Sequence, residues 1–422
     1  MATIQAVRGT KDILPVDIIK WQTLEHIARK VSNAFGYQEI RTPIFEKTEV
    51  FSRGVGDNTD IVNKEMYTFL DKGNESLTLR PEQTASLVRS VIQNNLITEN
   101  IATRLFYIGQ YFRYERPQKG RLRQFHQYGI ECLNSSYPES DVEVILLAVN
   151  FIKKIGITDY KLKINSIGNT NSRNNYKIAI LKYLEQNKEK LSNESKIRMY
   201  TNPLRVLDSK DTGDIEIISN APSILDFLDQ PSAEHFDMVK KMLDTSNINY
   251  EITPTLVRGL DYYSDTVFEF QSTYLGSQDA FGGGGRYNNL FSQLGGKDIP
   301  SIGFAMGMER LLLILEQISQ NVPTQKIDIL LCSTNNDYLQ YVTEISSLIR
   351  NNCDLVCISD VNRRSLKSQL REANKLNVRY AIIIGDEEVK NNTATIKFMQ
   401  ENKEQISIEK DKLVDYLCQN ID

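Results

Sequence analysis

Apolar residues recur three to four apart at Ile18, Trp21, Leu24, Ala28, Val31 and Phe35. That spacing predicts an amphipathic helix, entered at Pro15 and Asp17 and ended near Gly36. The period then changes. GYQEIRTPIFEKTEVF reads as a short strand with Pro43 at its end. Proline cannot donate to a sheet ladder, which suits an edge or an interface, although a plain surface loop would also accommodate it. The Gly- and Asp-containing stretch Arg53–Asp60 reads as a mobile loop. Lys64–Leu70 and Ser76–Arg80 read as two strands turned at Asp71–Asn74. Pro81 then opens a helix with Leu87, Val88, Val91 and Ile92 on its apolar side. Glu82 and Thr84 fall in its first turn, where capping alone would explain them.

Two apolar runs follow, Leu105–Phe112 and Phe125–Glu131. Between them lie Arg113, Arg116, Lys119, Arg121 and Arg123. Two strands joined by so basic a connection predict a hairpin that handles a polyanion. Ser140–Ile155 reads as a helix with Asp141 and Glu143 in its first turn. From about Lys161 to Tyr250 the chain becomes rich in Asn, Lys, Ser and Asp, with helical segments at Asn174–Lys188 and Ala233–Asp244. It reads as a largely helical insertion. Glycine blocks resume with LVRGLDYYSDTVFEF and AFGGGGRYNNL, around the strand pattern Phe268–Phe270. Gly282–Gly285 offers no packing of its own and lets another group approach the backbone. PSIGFAMGMERLLLILEQ runs from a small-residue strand into a helix, with Arg310 near the junction. A polar linker, Gln317–Gln325, precedes an alternation of strands and helices that predicts an open α/β sheet. Its first strand is followed by no glycine-rich phosphate loop, which argues against a dinucleotide fold. Arg363, Arg364, Lys367, Arg371 and Lys375 are expected on neighbouring turns of one helix, as a solvated face or an RNA contact.

The chain has 422 residues, 41% hydrophobic and 25% charged, which fits a globular protein of two or three domains. A formal net charge of -4 excludes a uniformly basic nucleic-acid coat and leaves local patches open. The cysteines, Cys132, Cys332, Cys353, Cys357 and Cys418, are odd in number and scattered, as in a reducing compartment. Cys353 and Cys357 lack the further ligands of a zinc site, so no protein-held metal site is expected. The sequence contains no run long and apolar enough to cross a bilayer. MATIQAVRGTKDILP lacks the apolar core of a secretory signal, so a cytoplasmic location is expected.

Arg113, Arg121, Arg258 and Arg310 punctuate strand-like or glycine-rich segments. Guanidinium groups match phosphates and carboxylates, and several that converge repel one another unless an anion joins them. Glu82, Glu115, Glu131 and Asp261 accompany them, as do Tyr262 and Tyr263. The set fits a triphosphate beside a small zwitterionic or cationic substrate. With only His26, His126 and His235 present, mechanisms built on a histidine base or a histidine-bound metal have little material, and His126 is expected to be structural.

These residues carry a resemblance to class II aminoacyl-tRNA synthetases, specifically to the bacterial-type histidyl-tRNA synthetase family. GYQEIRTPIFEKTEVF resembles the first class II motif, YFRYERPQKGRLRQFHQYGIE the second and IGFAMGMERLLL the third. LVRGLDYYSDTVFE and AFGGGGRYNNL resemble the two histidine-specific blocks. The resemblance implies an α/β protein, with an antiparallel six-stranded catalytic sheet flanked by helices. Its implied domains are catalytic parts at 1–160 and 251–325, a helical insertion at 161–250 and an anticodon-binding domain at 326–422. It implies a homodimer paired near Pro43, and ATP, Mg2+, L-histidine and tRNA as substrates and partners. The implied reactions are formation of histidyl-adenylate and transfer of histidine to tRNA. By the same resemblance, Arg113 and Arg258 are the catalytic arginines. Glu82, Thr84, Gln127, Glu131, Arg258, Tyr262 and Tyr263 bind histidine. Arg113, Glu115, Arg121, Phe125 and Arg310 bind ATP, and Arg116 and Gln118 meet the tRNA acceptor end. The alternative is an inactive, histidine-sensing regulatory paralogue of histidine biosynthesis. It lacks the C-terminal domain and part of the arginine set, both of which this chain has. A ligase without an RNA partner would leave that domain and the basic hairpin loop unexplained.

Overall fold

A computed structural model describes residues 3–56, 59–276, 279–318 and 326–420. Residues 57–58 of the expected loop and 319–325 of the expected linker lie outside the described residues. The chain divides into two compact units, Met1–Val322 and Pro323–Asp422.

The first unit is built on an antiparallel sheet of six strands. These are β5 (Thr103–Phe112), β6 (Gln124–Leu133), β11 (Ser301–Gly307), β10 (Ala280–Arg286), β9 (Ser264–Gln271) and β7 (Lys161–Ser166), in that order across the sheet. Two-residue strands extend its edges in parallel, β1 (Gln38–Glu39) beside β5 and β8 (Glu251–Ile252) beside β7. The basic hairpin is therefore the β5–β6 pair, with Leu105 opposite Glu131. Lys161–Ser166 belongs to the sheet and not to the helical insertion that the sequence suggested from residue 161. Its alternating side chains bury Leu162 and Ile164 against the sheet's helical layer. The helices of the insertion begin at Thr170 and end at Thr245.

Period-two alternation sorts the strands' side chains onto two faces. Tyr128, Ile130, Phe268, Phe270, Ile302, Phe304 and Met306 point to one face. There they pack under the helices Pro15–Ala34, Pro138–Lys154 and Met308–Ile318, which bring Trp21, Leu24, Val144, Phe151 and Leu311. Their sequence neighbours Gln127, Glu131, Glu269, Gly303 and Ala305 open onto the other face, and all five line one cleft. A small sheet, β2 (Phe45–Lys47), β4 (Ser76–Leu79) and β3 (Tyr67–Leu70), lies beside it. Its β3–β4 turn is held by Asp71, whose carboxylate accepts from the Gly73 and Glu75 amides.

The second unit has a five-stranded sheet in the order β13 (Cys357–Ser359), β12 (Ile329–Ser333), β14 (Tyr380–Ile384), β15 (Thr393–Phe398) and β16 (Ile406–Glu409). The first three are parallel and the last two antiparallel. The basic residues do not share one helix. The helix runs Leu366–Lys375, and Arg363 and Arg364 precede it, Arg363 with a left-handed φ of 51°. The Asp360 carboxylate holds Arg364 outside the helix by accepting from both its amide and its guanidinium, and Arg364 also meets Glu372.

Candidate functional site

The open face of the first unit's sheet forms a cleft of about 270 Å³. It is lined by Glu82, Thr84, Arg113, Glu115, Arg121, Phe125, Gln127, Glu131, Arg258, Tyr262, Tyr263 and Arg310. Residues separated by more than two hundred positions thus meet at one place. Arg116 and Gln118 do not line it. They are exposed on the hairpin loop. Paired Gln118–Arg121 main-chain bonds and the positive φ of Gly120, 74°, tighten the loop's turn. Asp261 also lies outside the cleft, facing Asn202 and Arg205. His126 sits on the helical side of β6, with Nδ1 2.9 Å from Glu309 and its ring edge-on to Trp21.

One end of the cleft gathers positive charge. Arg113 donates through Nε to the Pro81 carbonyl at 2.9 Å, and its guanidinium lies over the Phe125 ring, 5.2 Å from the centroid. Arg121 is in direct contact with the Glu115 carboxylate. Arg310 donates to the Gly120 carbonyl at 3.3 Å and also to the Ala280 carbonyl. Burial, then the charge of Arg121, pushes the Arg310 pKa down. A guanidinium whose pKa is lowered in this way by its neighbour's charge marks a site for an anion.

The other end is a pocket floored by a carboxyl. Glu131 is 1% exposed. It accepts from Thr84 Oγ1 at 2.8 Å and from the Tyr287 hydroxyl at 2.6 Å. Burial pushes its pKa up to about 8, against the pull of the Tyr287 and Thr84 hydrogen bonds and with the field of Glu82. Glu82 does cap the helix Thr84–Gln93, accepting from the Thr84 and Ala85 amides at 2.7 and 2.8 Å. It also lines the cleft, so capping and site roles coexist. Burial raises its pKa and those amide bonds oppose the rise. Tyr262 and Tyr263 pack with their rings tilted by 49° and centroids 4.7 Å apart. Arg258 is bonded to Glu269 at 2.6 Å, and its Nε is buried without a partner, as is Oε1 of Gln127.

The glycines supply room for these groups. A Cβ on Gly283 would lie 2.7 Å from the Arg258 guanidinium. A Cβ on Gly303, which pairs with Glu131 across β11 and β6, would collide with the Glu131 carboxylate and the Ile130 carbonyl. Gly303, Glu269 and Tyr287 are the residues that the sequence reading passed over. Tyr287 lies inside the quoted block AFGGGGRYNNL, and that was its only signal. Gly303→Ala should therefore destabilise the protein by about 1–3 kcal/mol through overpacking. At Gly307, two pleats along, a Cβ would meet only Arg310, at 3.7 Å, and alanine should be tolerated. Thermal denaturation of the two variants decides this, and equal midpoints would refute the steric account.

Six antiparallel strands whose open face gathers arginines around buried carboxylates are the catalytic architecture of a class II aminoacyl-tRNA ligase. Comparisons with known proteins narrow this. Residues 9–311 match the family model described as histidyl-tRNA synthetase, and residues 326–420 match an anticodon-binding domain. The histidine--tRNA ligase of Halothermothrix orenii is 46% identical over 406 residues, 96% of each chain. That of a Cyanothece strain is 44% identical over 98% of this chain and 96% of its own. The crystal structure of apo S. aureus histidyl-tRNA synthetase superposes with a TM-score of 0.82 at 36% identity, covering 98% of this chain and 99% of that one. The chain belongs to the histidyl-tRNA synthetase family. With that membership comes an enzymatic activity, the ligation of histidine to tRNA.

Proposed function

We propose that this cleft condenses the histidine carboxylate with the α-phosphate of ATP, releasing pyrophosphate, and then passes the histidyl group to the terminal adenosine of tRNA(His). The observation that carries the reading is the pairing of the two ends of the cleft. A buried carboxyl suited to an imidazole lies at one end and converging arginines suited to a triphosphate lie at the other. Histidine enters with its ring at Glu131 and Tyr263, Tyr262 alongside, and its amino group at Glu82, Thr84 and Gln127. The buried, unpartnered Gln127 Oε1 supports that placement, because it needs a donor. Phe125 stacks on adenine and Glu115 takes the adenine amino group. That role requires Glu115 to exchange its contact with Arg121 for the base. Arg121 is then free for the outer phosphates beside Arg310, and Arg113 holds the α-phosphate.

A carboxylate is already nucleophilic at neutral pH, so no side-chain base is required for activation. The obstacle is anion meeting anion, then charge accumulating at phosphorus, and fixed guanidinium groups offset both. A Mg2+ ion bound with the nucleotide would neutralise phosphate charge. Glu269 and Glu309 are carboxylates lining the cleft, and they would have to exchange contacts with Arg258 and His126 to hold the ion. In the second step the terminal ribose hydroxyl attacks the histidyl carbonyl and AMP leaves. The exposed Arg116 and Gln118 meet the acceptor end, and the second unit reads the anticodon. Two copies pair near Pro43, a reading supported by the exposed Ile44, Phe45, Phe69 and Leu70 around the small sheet. The protein works in the cytoplasm, where its substrates are, and no helix among the described residues is long and apolar enough to cross a membrane.

Pyrophosphate exchange with each amino acid in turn tests this. Exchange is expected with histidine and at least about a hundredfold less with any other. Absence of histidine-dependent exchange would overturn the reading.

A further inference from the structure

The segment that carries Arg258, Tyr262 and Tyr263 runs from Thr253 to Tyr263 without belonging to any helix or strand. Its main chain has no ladder to complete, so its carbonyl groups must find other donors. Much of what they find is side chains. Asn165 of β7 donates through Nδ2 to the carbonyls of Pro254 and Leu256, at 3.1 and 3.0 Å. The Asp261 amide donates to the Val55 carbonyl at 3.2 Å, and further contacts come from the helical insertion. Arg173, on the helix Thr170–Gln186, donates through one Nη to the carbonyls of both Asp261 and Tyr263, at 3.3 and 2.7 Å. These carbonyls flank Tyr262. Arg205, on the turn Pro203–Asp208, donates to the carbonyl of Gly259, the residue after Arg258. Asn202 reaches the Asp261 carboxylate at 3.4 Å.

We propose that Arg173 and Arg205 are positioning residues, through which the helical insertion sets the geometry of the amino-acid end of the cleft. Neither lines the cleft. Each holds the main chain directly next to a residue that does. A guanidinium is suited to this because its rigid fork fixes direction as well as distance. Arg173 is the stronger element, since it is part-buried and spans both sides of Tyr262. Burial depresses its pKa, while Asp261 and Asp265 oppose that fall. Its Nε is buried without a partner, so the charge is held there at a cost and the two carbonyls are its return.

The linkage has two directions. If the insertion fixes the segment that binds histidine, then histidine must in turn restrict the insertion by the same coupling free energy. A ligand that displaces the insertion would be felt as a change in histidine affinity, with no contact to histidine itself.

This inference rests on the histidine-activating reading above, and the experiment keeps the two apart. In pyrophosphate exchange by the full-length protein, Arg173→Ala is expected to raise the KM for histidine roughly tenfold or more, as the loss of a charge-assisted hydrogen bond predicts. The KM for ATP should stay within about twofold, since the arginines around the phosphates are held by other elements. Arg173→Lys, which keeps a cationic donor for one carbonyl, should recover part of the loss. Arg205→Ala should give a smaller change of the same kind. In hydrogen exchange, histidine should slow the amides of the helix Thr170–Gln186 in the wild type and not in Arg173→Ala. A lower melting temperature with an unchanged histidine KM would reduce Arg173 to a structural residue and overturn the proposal. So would equal histidine protection of that helix in both proteins. Failure of the wild type itself to catalyse histidine-dependent exchange would instead strike the functional reading.

Discussion

Arg258→Ala is expected to lower the rate of histidine-dependent pyrophosphate exchange by about 10²–10³-fold, the loss typical of removing one preorganised charge donor. The KM for histidine should rise much less. The asymmetry follows from where the guanidinium is held. Its bond to Glu269 at 2.6 Å fixes the side chain before any substrate arrives. Burial works against its charge, but the Glu269 carboxylate and then Tyr263 outweigh that and raise its pKa, so the group stays cationic. Gly283 leaves space against its guanidinium that any side chain would fill. Nε remains buried and unpartnered beside the cleft, available to a carboxylate or phosphate oxygen. A group aimed in this way gains most when negative charge grows at phosphorus, and less when a carboxylate merely binds. Single-turnover adenylate formation separates the two effects. Unchanged adenylate formation in Arg258→Ala would remove Arg258 from the chemistry. A loss confined to histidine KM would make it a binding residue only.

The parts of this site that were legible in the sequence are those whose chemistry is strange for their surroundings. Arginines in strand-like and glycine-rich stretches stand out whatever they touch, and Arg113, Arg121, Arg258 and Arg310 do line one cleft. The parts that were not legible depend on register. Gly303 matters because β11 lies against β6 with Gly303 opposite Glu131, and a pairing between residues so far apart leaves no local trace. Tyr287 lies in a glycine-rich block, but its role comes from its 2.6 Å bond to Glu131 across the sheet, which no local spacing shows. Boundaries failed for similar reasons. Lys161–Ser166 does carry a strand's alternation in Leu162 and Ile164, but it is short and shares the Lys- and Asn-rich composition of the stretch that follows, and the pairing with β9 decides it. Arg363 and Arg364 share a helical spacing with Lys367 and Arg371, but the Asp360 carboxylate stops the helix from starting before Leu366. Clusters that local pattern suggests are thus revised wherever a distant strand or a single capping carboxylate competes.

Glu131 predicts how histidine affinity depends on pH. In the free protein its pKa stands at about 8, so the carboxyl is mostly protonated at neutral pH. Free imidazole titrates near ~6.5 and is mostly neutral there. The complex holds one proton between Glu131 and the ring, whichever of the two carries it. Between about 6.5 and about 8, free protein and free histidine together also hold one proton, so binding moves none and affinity is flat. Below that window both partners are protonated and one proton must be released. Above it both are deprotonated and one must be taken up. Affinity should therefore fall on each side, by up to about tenfold per pH unit. Glu131→Gln should bind histidine more weakly throughout and lose the alkaline limb that belongs to Glu131. Histidine's own amino group also titrates on that side, but it does so equally with both proteins, so the ratio of the two affinities isolates the carboxyl. Stability gives a second reading of the same proton. The folded pKa lies above the ordinary value of 4.5, so without histidine the wild type should lose stability relative to Glu131→Gln as pH rises from about 4.5 to about 8, and lose no more beyond it. Titration calorimetry across pH 5.5 to 9 measures the first, as slopes of up to about tenfold per unit on either side of a flat centre, and denaturant melts over the same range measure the second, as a fall that levels off above about 8. An affinity ratio that does not change between pH 7 and 9 would show that Glu131 neither holds that proton nor meets the imidazole.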